Sequence, residues 1–423
     1  MTTTKIEQEM LAMGAAARHA AAVLRLSSAE QRSAALFVAA DALAQNQEAL
    51  LTANQHDLQR AKVKNLSPAF VDRMTLTADR ATDIVQTLRD IAAQPDPLGR
   101  EVENWDQPNG LHFSKISVPL GVIGIIYESR PNVTADAAAL CLRSANAVIL
   151  RGGSDALASA NVIFEAIRSG LQIADLPAAS VQFVSHNDRA AVGSMLHGLD
   201  GNLDLVIPRG GKSLVARVNR DARVPVLSHL EGICHVYVHG DADPKMAVEL
   251  VVNSKMRRVG ICGAAECLLI DRECASFILP KIVDALQDLN CELRADEAAL
   301  TVDRRMIPAH SSDWGREFLA PVLAVKLVEN LGEAVAHIGR YGSGHTDAIV
   351  TENKQAAQSF QSQVDSAIVL HNASTQFADG AEFGFGAEIG IATGKLHARG
   401  PVGAKQLTSY KYQVSGNGQK RPE

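Results

Sequence analysis

One cysteine lies in a local sequence that suits a nucleophile. Cys262 belongs to the segment KMRRVGICGAAE, where it stands between two glycines and shortly after three cationic side chains. Glycines let a backbone approach a bound group closely, and nearby cations favour the thiolate, which is the reactive form of the side chain. The other five cysteines lie on apolar helix faces or beside strands, as small buried hydrophobic residues do. The segment therefore predicts a catalytic thiol, with structural burial of Cys262 as the alternative.

Two glycine pairs follow predicted strands and offer a place for a phosphate group. Each pair is preceded by an arginine and sits where a strand ends and a helix begins, so backbone N–H groups and the helix dipole point at the turn. The residues are Arg151, Gly152 and Gly153 after AVIL, and Pro208, Arg209, Gly210 and Gly211 after LDLVI. The G-x-G-x-x-G fingerprint of standard dinucleotide-binding domains is absent, and GFGAEIG at 384–390 has a different spacing. The pairs predict an anion site, while a purely structural role of the turns stays open.

The elements that position these residues are helices first and then alternating strands and helices. Residues 6–62 and 66–95 have helical periodicity, and Ser28 followed by Gln31 predicts a capped helix start. From residue 118 onwards the alternation is typical of a mostly parallel sheet with right-handed crossovers. The predicted strands are 118–127, 147–151, 181–184, 203–207, 224–230, 235–238 and 266–270. Helices are predicted between and after these strands, and they include 131–145, 155–169, 188–197, 245–256 and 273–289. This order of elements indicates an α/β protein with a second α/β domain.

The composition limits the function classes. A chain of 423 residues is too long for one simple core, so two or three domains are expected. The formal net charge of −6 argues against nucleic-acid binding, and no uncharged apolar run is long enough to span a bilayer. Six cysteines without C-x-x-C pairs, and an amino terminus without the apolar segment of a secretory leader, predict reduced thiols in the cytoplasm. No set of cysteines and histidines has the spacing of a zinc site, so no metal is expected.

Several long segments, in order, resemble the aldehyde dehydrogenase superfamily. VPLGVIGIIYESRPNVTADAAALCLRSANAVILRGGSDA resembles its strand, asparagine-bearing turn and following strand end. NSKMRRVGICGAAECLL resembles the nucleophile loop, and GAEIGIATGKLHARGPVGAKQLTSYKY resembles the carboxyl-terminal part. The amino-acid sequences of these segments are most similar to those of the γ-glutamyl phosphate reductase branch. The resemblance runs from about residue 10 to residue 413.

The resemblance implies an aldehyde dehydrogenase-like α/β fold in three parts. A Rossmann-like domain that binds NADP without the glycine fingerprint is expected at 1–104 and 118–232. A catalytic α/β domain is expected at 233–375. A small β extension at 105–117 and 376–423 is expected to pair with a neighbouring subunit, which makes the chain a homo-oligomer.

The activity implied by the resemblance is the NADPH-dependent reduction of L-glutamate 5-phosphate to L-glutamate 5-semialdehyde, with release of phosphate, in proline biosynthesis. Cys262 is then the nucleophile that carries the thioacyl intermediate. The Asn132 side chain and the Cys262 backbone N–H are the implied donors to the oxyanion. Asn132 is also suited to an ordinary turn or helix cap. No kinase segment is fused here, so a separate glutamate 5-kinase is expected to make the acyl phosphate and is a predicted partner.

The same resemblance gives roles to residues around the cofactor. Arg151 stands at the position of the family lysine that meets the adenine ribose, and Ser154 stands where NAD-preferring relatives often carry an acidic residue. The missing carboxylate removes repulsion against a 2′-phosphate, which favours NADP. Glu317 matches the family glutamate that holds the nicotinamide ribose, with a helix-start carboxylate as the alternative.

The carboxylate and amine of the substrate need polar partners, and an arginine fork suits a carboxylate. The sequence offers Arg257, Arg258, Arg399 and Asn372 without choosing among them, and for each of them a place on the protein surface is expected ahead of a ligand role.

Two other functions compete with this hypothesis. A hydrolytic aldehyde dehydrogenase acting on a small semialdehyde needs a base for water, and Glu231 is near the place of that base, but the usual E-x-G-G context is missing. No base is therefore assigned. A scaffold that lost catalysis is the second alternative, and the joint presence of Cys262, Asn132 and Glu317 speaks against it.

Overall fold

The computed structural model describes residues 3–422, and its first part is helical. The helices are α1 (Thr3–Leu24), α2 (Ala29–Gln45), α3 (Gln47–Val63), α4 (Pro68–Met74) and α5 (Ala78–Ala93). Ser28 caps α2 by accepting a hydrogen bond from the Gln31 N–H, which confirms the predicted helix start. Pro68 opens α4 at a position where its missing N–H is not needed.

A four-stranded parallel sheet follows, with the order β5-β4-β3-β6. The elements of this segment are β1 (Glu101–Asp106), β2 (His112–Pro119), β3 (Val122–Tyr127), α6 (Pro131–Arg143), β4 (Ala147–Arg151), α7 (Leu157–Ile173), β5 (Val181–Phe183), α8 (Arg189–Leu196), β6 (Leu205–Arg209) and α9 (Lys212–Asp221). From β3 the chain goes first to β4 on one side and later to β6 on the other. The carboxyl ends of β3, β4 and β6 therefore meet at a topological switch point, where ligands commonly bind in such sheets.

Two predicted strands differ from the structure. The run 118–127 is divided, because Gly121 has φ +128° and a Cβ there would lie 2.1 Å from an Asp204 carboxylate oxygen. The chain therefore bends between β2 and β3 at a position that only glycine fits. The predicted strand 224–230 is wrong. Only Val226 makes a bridge, to Val206, and residues beyond it leave the sheet, with the Ser228 carbonyl accepting from the Thr393 N–H.

The second half of the chain forms a seven-stranded parallel sheet with the order β10-β9-β11-β8-β7-β12-β13. Its elements are β7 (Cys234–Val238), α10 (Pro244–Met256), β8 (Ala265–Asp271), α11 (Arg272–Gln287), β9 (Glu292–Ala295), α12 (Glu297–Val302), β10 (Ile307–Pro308), β11 (Val322–Val328), α13 (Leu331–Tyr341), β12 (Thr346–Val350), α14 (Lys354–Gln363) and β13 (Ile368–His371). β7 and β8 are buried along their whole length, as central parallel strands covered by helices are. This sheet confirms the predicted α/β class and its second α/β unit.

The carboxyl-terminal elements are β14 (Ile391–Ala392), β15 (Gly400–Pro401) and β16 (Thr408–Ser415). β14 and β15 pair with each other, while β16 pairs antiparallel with β2, which also pairs with β1. The resulting sheet β1-β2-β16 leaves β1 and β16 as its edges, and both expose most of their side chains. The domain boundaries drawn from the sequence stay predictions. Met1, Thr2 and Glu423, at their outer ends, lie outside the described residues.

Two large apolar clusters hold the two parallel sheets. One packs α1, α2, α5, α6 and α7 against β3–β6, and the other packs α10 and α11 against β7, β8 and β11. Among residues 3–422, no helix combines the length and the apolar character that crossing a membrane requires.

Candidate active site

Cys262 lies in the loop between α10 and β8 and is the half-buried member of a set in which the five other cysteines are buried. This loop packs against the residues at and just before the start of β7. A Cβ at Gly232 would lie 2.1 Å from the Cys262 carbonyl oxygen, and Cys234 Sγ is 3.1 Å from that oxygen. Position 232 therefore has to be glycine for the nucleophile loop to sit where it does.

The cations near Cys262 in sequence do not lie beside its sulfur. Lys255 is fully buried and pairs with Glu266, with Nζ and Oε2 at 2.5 Å, while Arg257 and Arg258 are exposed. Burial raises the pKa of the Cys262 thiol to about 11, Arg209 opposes this, and the carboxylates of Glu388 and Glu317 add to it. The expectation that the loop cations favour a thiolate is therefore wrong, and the resting side chain is a thiol.

Two histidines stand next to this thiol. Sγ of Cys262, a ring nitrogen of His229 and a ring nitrogen of His345 lie within 4.8 Å of one another. His229 Nδ1 is 2.7 Å from the Ile391 carbonyl oxygen. His345 is fully buried, and burial followed by the neighbouring His229 lowers its pKa to about 3, so it is neutral at neutral pH. No sequence motif indicated this group, because its members come from three distant segments without a regular spacing.

Asn132 lies in the first turn of α6, where its Nδ2 donates to Oδ2 of Asp136 at 3.0 Å. It borders a cavity of about 330 Å³ together with Arg130 and Arg258. The other lining residues are Asp72, Arg73, Thr75, Leu76, Arg80, Asp83, Ile84, Thr87 and Asp136. The cavity thus joins the turn after β3 to Arg258, which lies on the loop that also carries Cys262. Cys262 is not among the lining residues, so a cleft shared by Asn132 and Cys262 stays a prediction.

The glycine pairs pack on the turn that follows β3. A Cβ at Gly153 would lie 2.4 Å from Ser129 Oγ, and one at Gly210 would lie 2.7 Å from the Glu128 side chain. The Gly211 N–H donates to Glu128 Oε1 at 2.8 Å, so a carboxylate already occupies the first free N–H at the start of α9. The close approach of three strand ends explains the glycines. Pro208 lies within β6, directly before this turn.

Arg151 ends β4 and faces other cations. Its Nη1 donates to the Gly152 carbonyl at 3.0 Å, and its Nε is buried with no partner among the described residues. Burial first, then Arg189 and Arg217, lower the pKa of its guanidinium. Three guanidinium groups gathered in this way suit an anion. Ser154 opens a short 3₁₀ turn beside them.

Glu317 binds the backbone of Gly232, the glycine that packs against the Cys262 loop. Its Oε1 accepts a hydrogen bond of 2.9 Å from the Gly232 N–H, and burial raises its pKa. Gly232 therefore contacts both the Cys262 backbone and the Glu317 carboxylate.

Three predicted substrate ligands stand apart from the cavity. Arg257 is an exposed residue at the end of α10. The Asn372 side chain is engaged with the Thr351 backbone, and Arg399 pairs with Asp365 at 2.8 Å. Their binding roles stay predictions without a contact that supports them, whereas Arg258 lines the cavity.

Glu231 forms an ion pair with Lys212, with 2.7 Å between Oε1 and Nζ. A carboxylate held by a lysine in this way is not free to accept a proton from water.

The chain is similar to known proteins over nearly all of its length. The model of the aldehyde dehydrogenase family matches residues 3–301. A γ-glutamyl phosphate reductase of Parvibaculum lavamentivorans is 57% identical over 410 residues, which cover 97% of both chains. One of Caulobacter vibrioides is 57% identical over 413 residues, 98% of this chain and 100% of that protein. The crystal structure of γ-glutamyl phosphate reductase from Thermotoga maritima superposes with a TM-score of 0.95 at 41% identity, covering 98% of this chain and 100% of that one.

Proposed function

The chain belongs to the aldehyde dehydrogenase family, in its γ-glutamyl phosphate reductase branch, and on that premise we propose that it reduces L-glutamate 5-phosphate to L-glutamate 5-semialdehyde with NADPH. Phosphate leaves in the first half of this reaction, which serves proline biosynthesis. The observation that carries the proposal is the position of Cys262. It is the half-buried cysteine of the six, on a loop beside the cavity that Asn132 and Arg258 line.

The chain's own residues do most of the chemistry. Cys262 Sγ attacks the acyl carbon, and the bond from that carbon to the phosphate oxygen breaks to leave a thioester. Negative charge develops on the carbonyl oxygen in this step and in the next. The Asn132 amide and the Cys262 N–H are proposed to donate to that oxygen. NADPH, when bound, supplies the hydride that converts the thioester into the aldehyde.

The release of the thioester is proposed to need no activated water. Glu231, the carboxylate nearest the place of the family's hydrolytic base, is paired with Lys212. A carboxylate paired with a lysine is not free to activate water, so this ion pair supports a reductase over a hydrolytic aldehyde dehydrogenase. A reductase has to avoid hydrolysis, because hydrolysis would waste the activated acid.

The preference for NADP over NAD is proposed to rest on the end of β4. Arg151 has an unpartnered buried Nε and faces Arg189 and Arg217, an arrangement that fits a 2′-phosphate. Ser154 adds no negative charge there. Gly152, Gly153, Gly210 and Gly211 are proposed to let the nucleotide approach the strand ends, and Glu317 to hold the nicotinamide ribose.

The remaining features of the proposal depend on family membership. They are a cytoplasmic location, a homo-oligomer and a separate glutamate 5-kinase as the source of the labile acyl phosphate. Arg258 is a proposed substrate ligand because it lines the cavity. Arg257, Asn372 and Arg399 are also proposed from the sequence, but they are not among the lining residues.

Capture of the acyl enzyme tests the proposal. Incubation with glutamate semialdehyde and NADP in phosphate-free buffer should leave a glutamyl adduct on the peptide that contains Cys262, visible by mass spectrometry. Cys262→Ala should form neither the adduct nor NADPH while keeping the circular dichroism and melting temperature of the original. Near-normal turnover by Cys262→Ala would show that the covalent mechanism is wrong.

A further inference from the structure

The thiol of Cys262 needs a base that the family comparison does not supply. Burial raises its pKa to about 11, so at neutral pH only about one molecule in 10⁴ carries the thiolate. Lys255 is committed to Glu266, and Glu231 to Lys212. A group beside the sulfur has to take the proton as the carbon–sulfur bond forms.

Two carboxylates face Cys262, but each is already engaged. Glu317 accepts the Gly232 N–H at 2.9 Å, and Glu388 accepts the Gly380 N–H at 3.0 Å. Burial is the main reason that both have a raised pKa, and Arg209 opposes it at Glu388. These bonds assign the two carboxylates to holding the backbone around the site.

His229 and His345 each have a ring nitrogen within 4.8 Å of Cys262 Sγ, but they differ in their contact with solvent. His345 has no exposed surface, so its ring does not contact solvent directly, and its Nδ1 lies 2.9 Å from Thr346 Oγ1. His229 is half-buried. Its Nδ1 is 2.7 Å from the Ile391 carbonyl oxygen, which only accepts hydrogen bonds. Nδ1 therefore carries the proton of the neutral ring, and Nε2 keeps the basic lone pair.

The surroundings keep His229 neutral. Burial lowers its pKa, the Ile391 carbonyl partly opposes this, and Arg209 lowers it further. A neutral imidazole whose lone pair is available near pH 7 is what general-base catalysis requires.

We propose that His229 is the acid–base residue of Cys262, taking the Sγ proton during attack and passing it to the departing phosphate. The passing of the proton to phosphate rests on the proposed function, whereas the removal of the proton from sulfur does not.

The proton balance follows the bonds. As the bond from Sγ to the acyl carbon forms, the S–H bond breaks and Nε2 of His229 becomes protonated. The bond from the acyl carbon to the phosphate oxygen breaks, and that oxygen receives the proton, so hydrogen phosphate leaves and the ring is neutral again. After hydride transfer from NADPH, the carbon–sulfur bond breaks and the carbonyl re-forms. The thiolate then regains a proton through His229 from solvent, so one proton is consumed for each turnover.

Alkylation of Cys262 by iodoacetamide tests the base without substrate or cofactor. The rate is followed by mass spectrometry of the Cys262 peptide between about pH 6 and about pH 9, with the native chain, His229→Asn and His229→Gln. Asn places an amide donor near the position of Nδ1 and so keeps the bond to Ile391 without offering a base. We expect the native rate to be nearly level at neutral pH and to fall only as His229 itself becomes protonated, below pH 6.5 because its pKa is lowered. In His229→Asn the rate should be at least about tenfold lower at pH 7 and should rise about tenfold for each pH unit, as the thiolate fraction does.

Three further variants make the assignment specific. His197→Gln, at an exposed histidine at the end of α8, should leave both the alkylation rate and its pH profile unchanged. His345→Asn and Glu388→Gln should change the rate less than His229→Asn does. Equal rates and equal pH profiles for the native chain and His229→Asn overturn the proposal, and so does a larger loss in His345→Asn or Glu388→Gln.

Steady-state kinetics separate the two levels of the inference. In the reductase reaction, His229→Asn should lower kcat by roughly 10²-fold with little change in KM, and His229→Gln should do the same. If alkylation behaves as expected but the native chain has no activity with glutamate semialdehyde, NADP and phosphate, the proposed function fails and the base assignment stands. If the native chain is active but alkylation is indifferent to position 229, the base assignment fails alone.

Discussion

A thiol with a raised pKa is a weak nucleophile until a base removes its proton, so in the proposed mechanism the residues around Cys262 decide its reactivity. Cys262 and its glycine-flanked loop were identified from the sequence, and the family resemblance indicated Asn132 and Glu317, whose roles stay predictions. His229 and His345 were not, because only the fold brings residues 229, 262 and 345 within 4.8 Å. The sequence also suggested activation by neighbouring cations, but Lys255 is paired with Glu266 and burial raises the pKa of the Cys262 thiol.

Glu231 is not expected to act as a general base. Since its carboxylate is paired with Lys212 and no thioester hydrolysis is proposed, Glu231→Gln should keep the phosphate-dependent rate within roughly tenfold of the original. The measurement is kcat for NADP reduction by glutamate semialdehyde with phosphate present. A loss of roughly 10²-fold or more would identify Glu231 as a general base and would favour the hydrolytic alternative.

At the scale of elements, the site depends on where strands end. The alternation of strands and helices predicted β3, β4, β6, β7 and β8, and the glycine pairs fall at the carboxyl ends of β4 and β6. What periodicity did not detect was the bend at Gly121 and the early loss of pairing after Val226, since both depend on contacts with distant residues. The grouping of Arg151 with Arg189 and Arg217 has the same origin.

Gly232 connects β7 to the nucleophile loop, and its replacement tests that connection. A Cβ in Gly232→Ala would lie 2.1 Å from the Cys262 carbonyl oxygen, so the loop has to move. Misplacement of a nucleophile by about 1 Å costs on the order of 10²-fold in rate, and kcat/KM should fall by that amount. Gly339→Ala in α13, where a Cβ meets nothing within 4 Å, is the matched control and should be fully active. Full activity of Gly232→Ala would mean that the loop does not need this support.

The proposed preference for NADP rests on the cations near the end of β4, which are Arg151, Arg189 and Arg217. Removal of a guanidinium that binds a phosphate costs about 1.5–3 kcal/mol, so Arg189→Ala should raise KM for NADPH by about tenfold or more and leave KM for NADH nearly unchanged. Ser154→Glu should act in the same direction by charge repulsion. Arg168→Ala on the exposed face of α7, where Arg168 pairs with Glu165, is the control. Equal kcat/KM values of the native chain for NADPH and NADH would contradict the assignment.

The molecule as a whole combines two parallel sheets with the antiparallel sheet β1-β2-β16. β16 carries Tyr410, Tyr412 and Val414 on an exposed edge, each about half exposed. An exposed edge strand with apolar side chains is a surface that another chain covers readily, which agrees with the predicted homo-oligomer. The resemblance, rather than composition or periodicity, indicated this role, and the oligomer stays a prediction.

When the proposed reaction runs from aldehyde to acyl phosphate, phosphate and not water is expected to release the thioester on Cys262. The direct measurement is NADPH formation from glutamate semialdehyde and NADP, followed by absorbance, in buffer with and without inorganic phosphate. With phosphate the enzyme should turn over many times, and without it the signal should stop after about one NADPH for each active site, because the thioester is then not released. Sustained turnover in phosphate-free buffer, with free glutamate as the product, would contradict the account and would identify a hydrolytic dehydrogenase.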